Sequence, residues 1–337
     1  MRLRYVATRV VASVLMALAA TLVVFLIAHT VPADPILAQL GDKASANAEL
    51  VARFRARWAL DRPLWEQYAI FVGRLAQGDL GESIASRRPV LVDIGQYAPA
   101  TIELATLAAL LTLLVGVPLG VLAAVKRDGW LDHGARLACL VGVSAPTFWL
   151  AFIVLALFYG GLQIAPSPGR LDAGAVPPPH VTGLFLLDSL LARDWPTFRS
   201  ALAHMLLPAA VLAASTLGLI TRTTRAAMLD VLGQDYVRVA RAKGLTEGGV
   251  VRGHAVPNAL LPVVTLGGLA YAELLAGTVL TETIFSWPGL GRYTYQSAIA
   301  LDFPAIMGVT LLVAVIYLAM NFVVDVSYSW LDPRVTR

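Results

Sequence analysis

The sequence predicts an all-α integral membrane protein with six transmembrane helices. The chain has 337 residues, of which 58% are hydrophobic and only 14% are charged, and its mean hydropathy is +0.71. Soluble domains are much less apolar. Six apolar segments reach the length of roughly 20 residues that a helix needs to cross a bilayer. Lysine and arginine concentrate in alternate loops, which is the pattern of a multi-pass membrane protein.

The six predicted spans have similar lengths. They run from Val10 to Ala28, Leu104 to Val125, Leu137 to Leu162, His204 to Thr221, Ala259 to Leu280 and Phe303 to Val324. The first could instead be a signal peptide, because Arg2, Arg4 and Arg9 precede it. Its apolar stretch exceeds the roughly 7 to 15 residues usual for such peptides and no clear cleavage site follows, so a retained span is favoured.

The positive charges predict the orientation of the spans. Lys126, Arg127 and Arg136 flank the loop after the second span, and a larger set of cations fills the loop after the fourth. The positive-inside rule places both loops, and with them both termini, in the cytoplasm. The net charge of +4 therefore reflects topology, and nucleic acid is not an expected partner. We expect a multi-pass membrane protein with both termini in the cytoplasm.

Three regions organise the predicted chain: residues 1–29 with the first span, an extracytoplasmic insertion at 30–99, and a core with the other five spans at 100–337. Helical spacing in the insertion, for example at Leu64, Tyr68, Phe71 and Leu75, predicts amphipathic helices, which we expect to pack together as a small cap. Glycine punctuates the run at 78–83, which predicts a tight loop.

The cytoplasmic loop at 222–257 carries the most information. Asp235 is placed to cap a short helix that starts at Tyr236, and Gly244 is placed to end it in a left-handed conformation. Thr246 can cap a second helix that runs toward Pro257. The sequence thus predicts two short helices joined by an abrupt turn. On charge alone, a basic loop held at an anionic lipid surface remains an equal alternative.

The residues of this loop carry a resemblance to a known family. The run Asp235-Tyr236-Val237-Arg238-Val239-Ala240-Arg241-Ala242-Lys243-Gly244-Leu245, followed by Pro257, resembles the EAA signature of ABC importer permeases. The dipeptide and oligopeptide branch, and within it the first or B-type permease, is the most similar pattern. Further matching runs occur in family order along nearly the full chain. They are Pro32-Ala33-Asp34-Pro35, Gly78-Asp79-Leu80-Gly81, Thr281 through Arg292, and Asp325 through Arg334.

The resemblance implies a set of partners and contact residues. The expected partners are a second homologous permease, two cytoplasmic ABC ATPase subunits, an extracytoplasmic substrate-binding protein and membrane lipid. ATPase contact is expected from the EAA residues Asp235, Tyr236, Arg238, Ala240, Arg241, Ala242, Lys243, Gly244 and Pro257. Binding-protein contact is expected from Gly78, Asp79, Gly81, Ser83 and Trp287. We expect no cofactor and no metal on this chain, with ATP and Mg²⁺ bound by the partner ATPases.

The chain carries no motif for ATP hydrolysis or other catalysis. It lacks a Gly-x-x-x-x-Gly-Lys-[Ser/Thr] loop, a His-Glu-x-x-His zinc motif and a Gly-x-Ser-x-Gly nucleophile turn. We therefore expect a non-enzymatic permease that forms, with its partner permease, a path for dipeptides or oligopeptides. Nickel or glutathione are alternative cargoes. A membrane sensor or scaffold and a passive channel are alternatives of other classes.

Polar and small residues of the fifth span are candidates for the translocation path. Glu273 is the one acidic residue within the predicted spans, where an ionised carboxylate is costly and points to function. A protonated or hydrogen-bonded glutamate that faces another helix is the alternative. Gly267, Gly268 and Ala276 belong to a face of small residues, which either lines a path or allows close helix packing.

Overall fold

The structure of the chain is a computed structural model that describes residues 2–30, 49, 52 and 61–331. Leu50, Phe54 and Trp58, whose helical spacing predicts a first helix in the insertion, lie outside the described residues, as do the Pro32 to Pro35 run and the ending at 332–334. Among the described residues there is no β-strand, only an isolated antiparallel bridge between Glu82 and Pro89. The prediction of an all-α protein is confirmed.

The helices are numbered here in chain order. They are α1 Arg2–Thr30, α2 Leu64–Ala76, α3 Val90–Val125, α4 Trp130–Ser144, α5 Thr147–Leu155, α6 Phe185–Leu191, α7 Trp195–Leu232, α8 Asp235–Ala242, α9 Glu247–Val250, α10 Val256–Ala276, α11 Val279–Ile284, α12 Leu290–Ile299 and α13 Phe303–Leu331. Two π-helical turns, Ala156–Gly161 after α5 and Val251–Ala255 after α9, continue their helices without a break.

Five described helices are long and apolar enough to cross a membrane. They contain the segments Ala7–Leu26, Val90–Val125, Trp195–Leu232, Glu247–Ala276 and Phe303–Val324. A sixth crossing is formed if α4 and the helix Thr147–Gly161 count as one broken span. The prediction of six spans agrees with this arrangement by length and composition.

The third span differs from the single helix predicted from Leu137 to Leu162. Its two halves are bent by 101°. Ala145 has ψ 129° and Pro146 has ψ 132°, so two successive residues leave the helical region. The proline ring excludes the residue before it from the α conformation, and here the chain turns sharply instead of bending slightly.

The fourth and fifth spans also have different ends from those predicted. Helix α7 has 38 residues and continues to Leu232, so Arg222 and Arg225 belong to this helix and not to a loop. Asp194 caps its start by accepting a hydrogen bond from the Thr197 backbone N–H. Helix α10 ends at Ala276, before Gly277, whereas the sequence predicted a span to Leu280. The residues after Thr278 form the separate helix α11.

The described residues form two compact units, one of residues 99–291 and 320–331 and the other of residues 2–98 and 292–319, apart from the gaps. In the first unit, α7 is the central helix and is contacted by α4, α5, α6 and α10. Met205 and Met228, which lie more than six turns apart on α7, are both fully buried. Helix α7 therefore forms the core of this unit along most of its length.

Small residues allow α3 to pack closely against α7. The Thr112 and Thr216 hydroxyls are 2.9 Å apart. A Cβ added to Gly116 would lie 3.1 Å from Ile220, and one added to Gly120 would lie 2.6 Å from Thr224. Along this contact the residue numbers increase in both helices, so α3 and α7 run parallel. The Gly-x-x-x-Gly pair at 116 and 120 is a known means of close approach between membrane helices.

In the second unit, α2 packs on α1. The ring centroids of Phe25 and Tyr68 are 5.4 Å apart, and Phe71 lies 5.7 Å from the same phenylalanine. Thr21 and Tyr68 share a 2.9 Å hydroxyl contact. The amphipathic helix predicted from Leu64 is confirmed, and its aromatic face packs on the first span. The small cap of helices in the insertion stays a prediction.

Candidate functional site

The segment at residues 233–255, called the connecting segment below, joins α7 to α10 and contains most of the predicted EAA residues. Helix α8 begins at Asp235 itself, after Gln234, and has no side-chain cap. Asp235 instead pairs with Arg238 one turn later. The prediction that Asp235 caps a helix from Tyr236 is therefore wrong.

The turn between the two short helices has the predicted form. Gly244 has φ +84°, the left-handed conformation that favours glycine. Thr246 accepts a hydrogen bond from the Gly249 backbone N–H and caps α9. Helix α9, the π-helical turn and α10 then form one continuous helical run, Glu247–Ala276. The connecting segment is thus helically continuous with a span only at its α10 end, because Gly233 and the extended Gln234 separate α8 from α7.

One side of α8 is buried against the ends of its neighbours. Val237, Ala240 and Val250 form a small buried cluster, on which Val231 and Leu232 at the end of α7 also pack. Ala240, which the resemblance assigns to ATPase contact, is only 5% exposed and faces this cluster. Its small size serves packing within the chain, because a larger side chain would separate α8 from α9.

The outer side of α8 and the following turn expose apolar side chains. Tyr236 is 43% exposed, Val239 is 52% exposed and Leu245 is 45% exposed. We call these three residues the α8 surface. Ala242, Lys243 and Gly244 are also exposed beside it. An exposed group of apolar residues rimmed by charges is typical of a surface that another protein covers.

The arginines of α8 already have acidic neighbours. Arg241 donates to Glu247 across the turn, with nitrogen to oxygen distances of 2.8 and 3.3 Å. This pair ties the end of α8 to the start of α9. Beyond the turn, the Asn258 amide donates to the His254 carbonyl at 2.7 Å, next to the exposed Pro257. These contacts fix the shape of the connecting segment from within.

A buried ion pair ties α4 to α7 two turns before the connecting segment. Arg225 Nε lies 2.7 Å from Asp132 Oδ1, and Arg225 Nη2 lies 2.7 Å from Asp132 Oδ2. Asp132 is fully buried. The Asp128 backbone N–H also donates to it at 3.0 Å. In the sequence, Arg225 is one of the cations that predict the orientation of the spans, and nothing there indicates a role for Asp132.

A second buried carboxylate organises the Thr281 to Arg292 motif. Glu282 is fully buried and accepts a 2.6 Å hydrogen bond from the Thr101 hydroxyl. The Leu290 backbone N–H donates to that hydroxyl at 2.7 Å. Trp287 is 1% exposed, and its indole N–H donates to the Ala100 carbonyl at 2.9 Å. Since Trp287 is enclosed, its role here is to fasten this motif to the start of the second span.

The Gly78 to Ser83 run is a tight loop, as predicted. Gly78 has φ +78° and Gly81 has φ +86°, and the Asp79 carboxylate accepts the Gly81 backbone N–H at 2.9 Å. The buried Ser83 donates to Asp302 at 2.5 Å. Of the five residues assigned to binding-protein contact, Gly78 and Asp79 are the exposed ones.

The residues assigned to the translocation path do not converge on one feature. Glu273 is exposed and lies near the end of α10, not in the middle of a span. A Cβ added to Gly268 would lie 2.4 Å from Val324, so close packing against α13 accounts for this glycine. A Cβ added to Gly267 would lie 3.6 Å from the Leu113 side chain, which is ordinary contact. Ala276 is exposed. Their role in a path stays a prediction.

Comparison with known proteins adds independent findings. Residues 116–337 match the family described as "Binding-protein-dependent transport system inner membrane component", and residues 2–105 match the related family "Binding-prot-dependent transport system membrane comp, N-term". Of the described residues, the two matches leave out only residues 106–115, which lie within the span Val90–Val125. A solved chain titled as an inward-facing conformation of the MetNI methionine ABC transporter has 17% identity, a TM-score of 0.48 and coverage of 69% of this chain and 93% of its own.

Three curated relatives are similar over almost the whole chain. "Probable D,D-dipeptide transport system permease protein DdpB" of Escherichia coli (strain K12) is 49% identical, covering 94% of this chain and 92% of its own. "Di/tripeptide transport system permease protein DppB" of Pseudomonas aeruginosa is 43% identical, with 94% and 93% coverage. "Dipeptide transport system permease protein DppB" of Escherichia coli (strain K12) is 42% identical, with the same coverage.

Proposed function

This chain belongs to the family of binding-protein-dependent transport system inner membrane components, and from that membership we propose that it is one permease subunit of an ATP-driven importer of short peptides. A second homologous permease would complete the translocation path. Two ABC ATPases on the cytoplasmic side would bind ATP with Mg²⁺ and hydrolyse it, and an extracytoplasmic binding protein would deliver the peptide. This chain binds no cofactor in the proposal, and both of its termini face the cytoplasm of a bacterial cell.

The two-sided packing of the connecting segment supports the proposal most directly. Its α8 surface exposes Tyr236 and Val239, while its inner side is anchored to α7 and α9. A partner that presses on this surface moves a short helix whose buried side packs on the end of α7 and on α9, where the helical run Glu247–Ala276 begins. Rigid-body displacement of packed helices is a standard way to pass motion through a protein.

Charge complements the apolar contact. Arg238, Arg241 and Lys243 lie on or beside α8 and are exposed. Cations at the rim of an apolar surface favour a partner with acidic groups, because they steer its approach and fix the position in which it binds. The proposed ATPase docking site is therefore the α8 surface with its basic rim. Ala240 supports it from the buried side.

The peptide assignment is supported by the curated relatives, whose names describe D,D-dipeptide, di/tripeptide and dipeptide transport. We take short peptides as the cargo class because these relatives are 42 to 49% identical over 94% of the chain. The choice among peptides would rest chiefly with the binding protein.

Reconstitution tests the proposed function. The chain is purified with its co-encoded permease and ATPases, inserted into proteoliposomes and supplied with the binding protein. We expect dipeptides to stimulate ATP hydrolysis and to accumulate against a gradient only when ATP is present. Uptake without ATP would point to a passive channel, and stimulation by nickel or glutathione alone would replace the cargo. A normal uptake rate in cells that lack the chain would favour a sensor or scaffold.

Substitution of Val239 tests the docking surface separately. A charged side chain at the centre of the α8 surface should prevent partner docking, so Val239→Glu is expected to abolish co-purification of the ATPases while membrane levels stay normal. Val176→Glu is the matched control, because Val176 is 79% exposed and lies in a different loop. Equal ATPase recovery with both variants would contradict docking at α8.

A further inference from the structure

Helices α4 and α7 pack as an antiparallel pair along a seam of small residues. A Cβ added to Gly142 would lie 3.0 Å from the Ala214 carbonyl oxygen, and one added to Gly218 would lie 3.1 Å from the Cys139 carbonyl oxygen and 2.6 Å from Val143. Seams of this kind allow backbones to approach closely. The two backbone contacts define the distance between the helices, and Val143, in the notch at Gly218, fixes their relative position at one point of the seam.

The Asp132 to Arg225 pair lies further along the same antiparallel register, beyond the glycine seam. Both guanidinium contacts are 2.7 Å long and go to different carboxylate oxygens. This two-point geometry fixes position and rotation together, which a single contact cannot do. The buried carboxylate has one further cationic neighbour, the partly exposed Arg136, at 3.4 Å.

Stability alone does not account for a buried ion pair here. Removing two charges from water has a large desolvation cost, and well-packed apolar residues would hold two helices together at least as well. A buried pair of this type is best explained when it selects one register or one state of two packed elements. The seam holds α4 on α7 around Gly218, and the ion pair defines register and rotation at the start of α4.

The pair also stands between the connecting segment and the broken span. Arg225 precedes Leu232 by seven residues of continuous helix, about 10 Å at 1.5 Å per residue. Leu232 contacts the buried side of α8. On the other side, Asp132 lies at the start of α4, whose far end leads into the 101° bend.

We propose that Asp132 is a positioning residue that makes α4 follow α7 when the connecting segment is displaced, so that ATP hydrolysis is converted into movement of the broken span. The proposal rests on the proposed function as a permease subunit. Without the ion pair, α7 would still move with α8, but α4 could slip along the glycine seam. Hydrolysis would then continue with little translocation.

The test compares uptake per ATP hydrolysed in the reconstituted complex with its binding protein. Asp132→Asn keeps the shape of the side chain and removes its charge. We expect the ratio of dipeptide uptake to ATP hydrolysis to fall by about tenfold, within the range of typical coupling energies, while the hydrolysis rate stays close to wild type. Arg225→Lys retains a charge without the two-point geometry and should have an intermediate ratio.

Arg136→Gln is the matched control, because Arg136 approaches the same carboxylate from an exposed position and does not join α4 to α7. It should leave the ratio unchanged. A wild-type ratio in Asp132→Asn, or a parallel fall of uptake and hydrolysis in that variant, would overturn the proposal. If the wild-type complex itself showed no peptide-dependent hydrolysis, the proposed function would fail instead.

Discussion

Arg170 Nη2 lies 2.6 Å from Glu103 Oε2, and the side chains are only 9% and 6% exposed. The same guanidinium donates to the Gly183 carbonyl at 3.1 Å and stacks 3.5 Å above the Phe185 ring. The Leu186 backbone N–H donates to the other oxygen of Glu103 at 2.6 Å. A buried ion pair thus connects the loop at residues 166–184, called the proline-rich loop below, to the second span.

Removal of one partner should therefore be costly. Arg170→Met leaves the Glu103 carboxylate buried without its cation, and we expect a loss of roughly 3 to 5 kcal/mol in the free energy of unfolding. The double variant Glu103→Leu with Arg170→Met should recover part of this loss, because no unpaired charge remains. Unfolding of the purified protein in detergent measures both changes.

The exposed pair Arg127 and Asp128 provides the control. Its nitrogen to oxygen distance is 3.3 Å, but both side chains are about two-thirds exposed. Arg127→Gln should have no measurable effect, since water and salt screen such pairs. A similar loss in Arg127→Gln and Arg170→Met would show that burial is not the cause.

Gly289 is a second position where the structure predicts a measurable loss. An added Cβ would lie 2.4 Å from both Glu282 Oε1 and Thr101 Oγ1, which are themselves hydrogen-bonded at 2.6 Å. Gly289→Ala should force this pair apart and destabilise the protein by about 1 to 3 kcal/mol, the usual range for overpacking. Thermal unfolding in detergent checks the expected direction.

Gly134 is the matched glycine for this experiment. It lies within α4, and no atom of the described residues stands within 4 Å of an added Cβ. Gly134→Ala should stabilise the protein by up to about 1 kcal/mol, because alanine is the better helix former. Opposite signs at the two positions are expected, and a shift of the same sign at both would refute the packing argument.

Hydropathy predicted the spans well because a lipid-exposed helix must be long and apolar regardless of its partners. The bend at Pro146 was missed because a proline in a span usually leaves a kink of modest angle, and only the extended Ala145 and Pro146 together turn the chain by 101°. The helical end of α7 at Leu232 was missed because its last turns are charged, which hydropathy reads as a loop.

The buried acids were the larger omission. The partners of Glu103, Asp132 and Glu282 lie 67, 93 and 181 residues away in the sequence. A single sequence, read by itself, contains no sign of such pairs. Glu273 drew attention instead because it stood alone in an apolar run. The Gly-x-x-x-Gly pair at Gly116 and Gly120 was the one available signal for the close approach to α7.

The proline-rich loop should also lose stability in acid, because Asp188 holds it together. This buried carboxylate accepts hydrogen bonds from the backbone N–H groups of Val181, Thr182 and Gly183 and from the Thr182 hydroxyl, at 2.7 to 3.3 Å. Burial alone would raise the pKa of Asp188, but these hydrogen bonds outweigh it and lower the pKa below the ordinary 3.8.

A lowered pKa in the folded state means that folding favours the ionised form of Asp188. Its contribution to stability is fully present above the ordinary pKa and is lost as the pH falls through the lowered value. The unfolding temperature of Asp188→Asn should thus be below that of wild type at neutral pH, and the difference should shrink as the pH falls below 3.8. Asp61 is exposed. For Asp61→Asn, the difference in unfolding temperature from wild type should not change with pH in this way.

The turn at Gly244 allows the most direct test of how the connecting segment works. Its φ of +84° costs an L side chain about 1 to 2 kcal/mol, and asparagine tolerates it better than alanine does. Within the part of the chain that the structure describes, nothing stands within 4 Å of an added Cβ, so the backbone conformation opposes substitution there and side-chain crowding does not. Relief of that strain would rotate α8 relative to α9 and separate Arg241 from Glu247.

Peptide uptake should therefore fall in the order wild type, Gly244→Asn, Gly244→Ala, at equal membrane levels measured by immunoblot. Gly248→Ala is the control, since Gly248 lies four residues away in α9, has an ordinary φ and has open space around it. It should leave uptake unchanged, because the angle between α8 and α9 is set at residue 244. Equal losses at both glycines would mean that crowding at the partner surface, and not the turn geometry, controls transport.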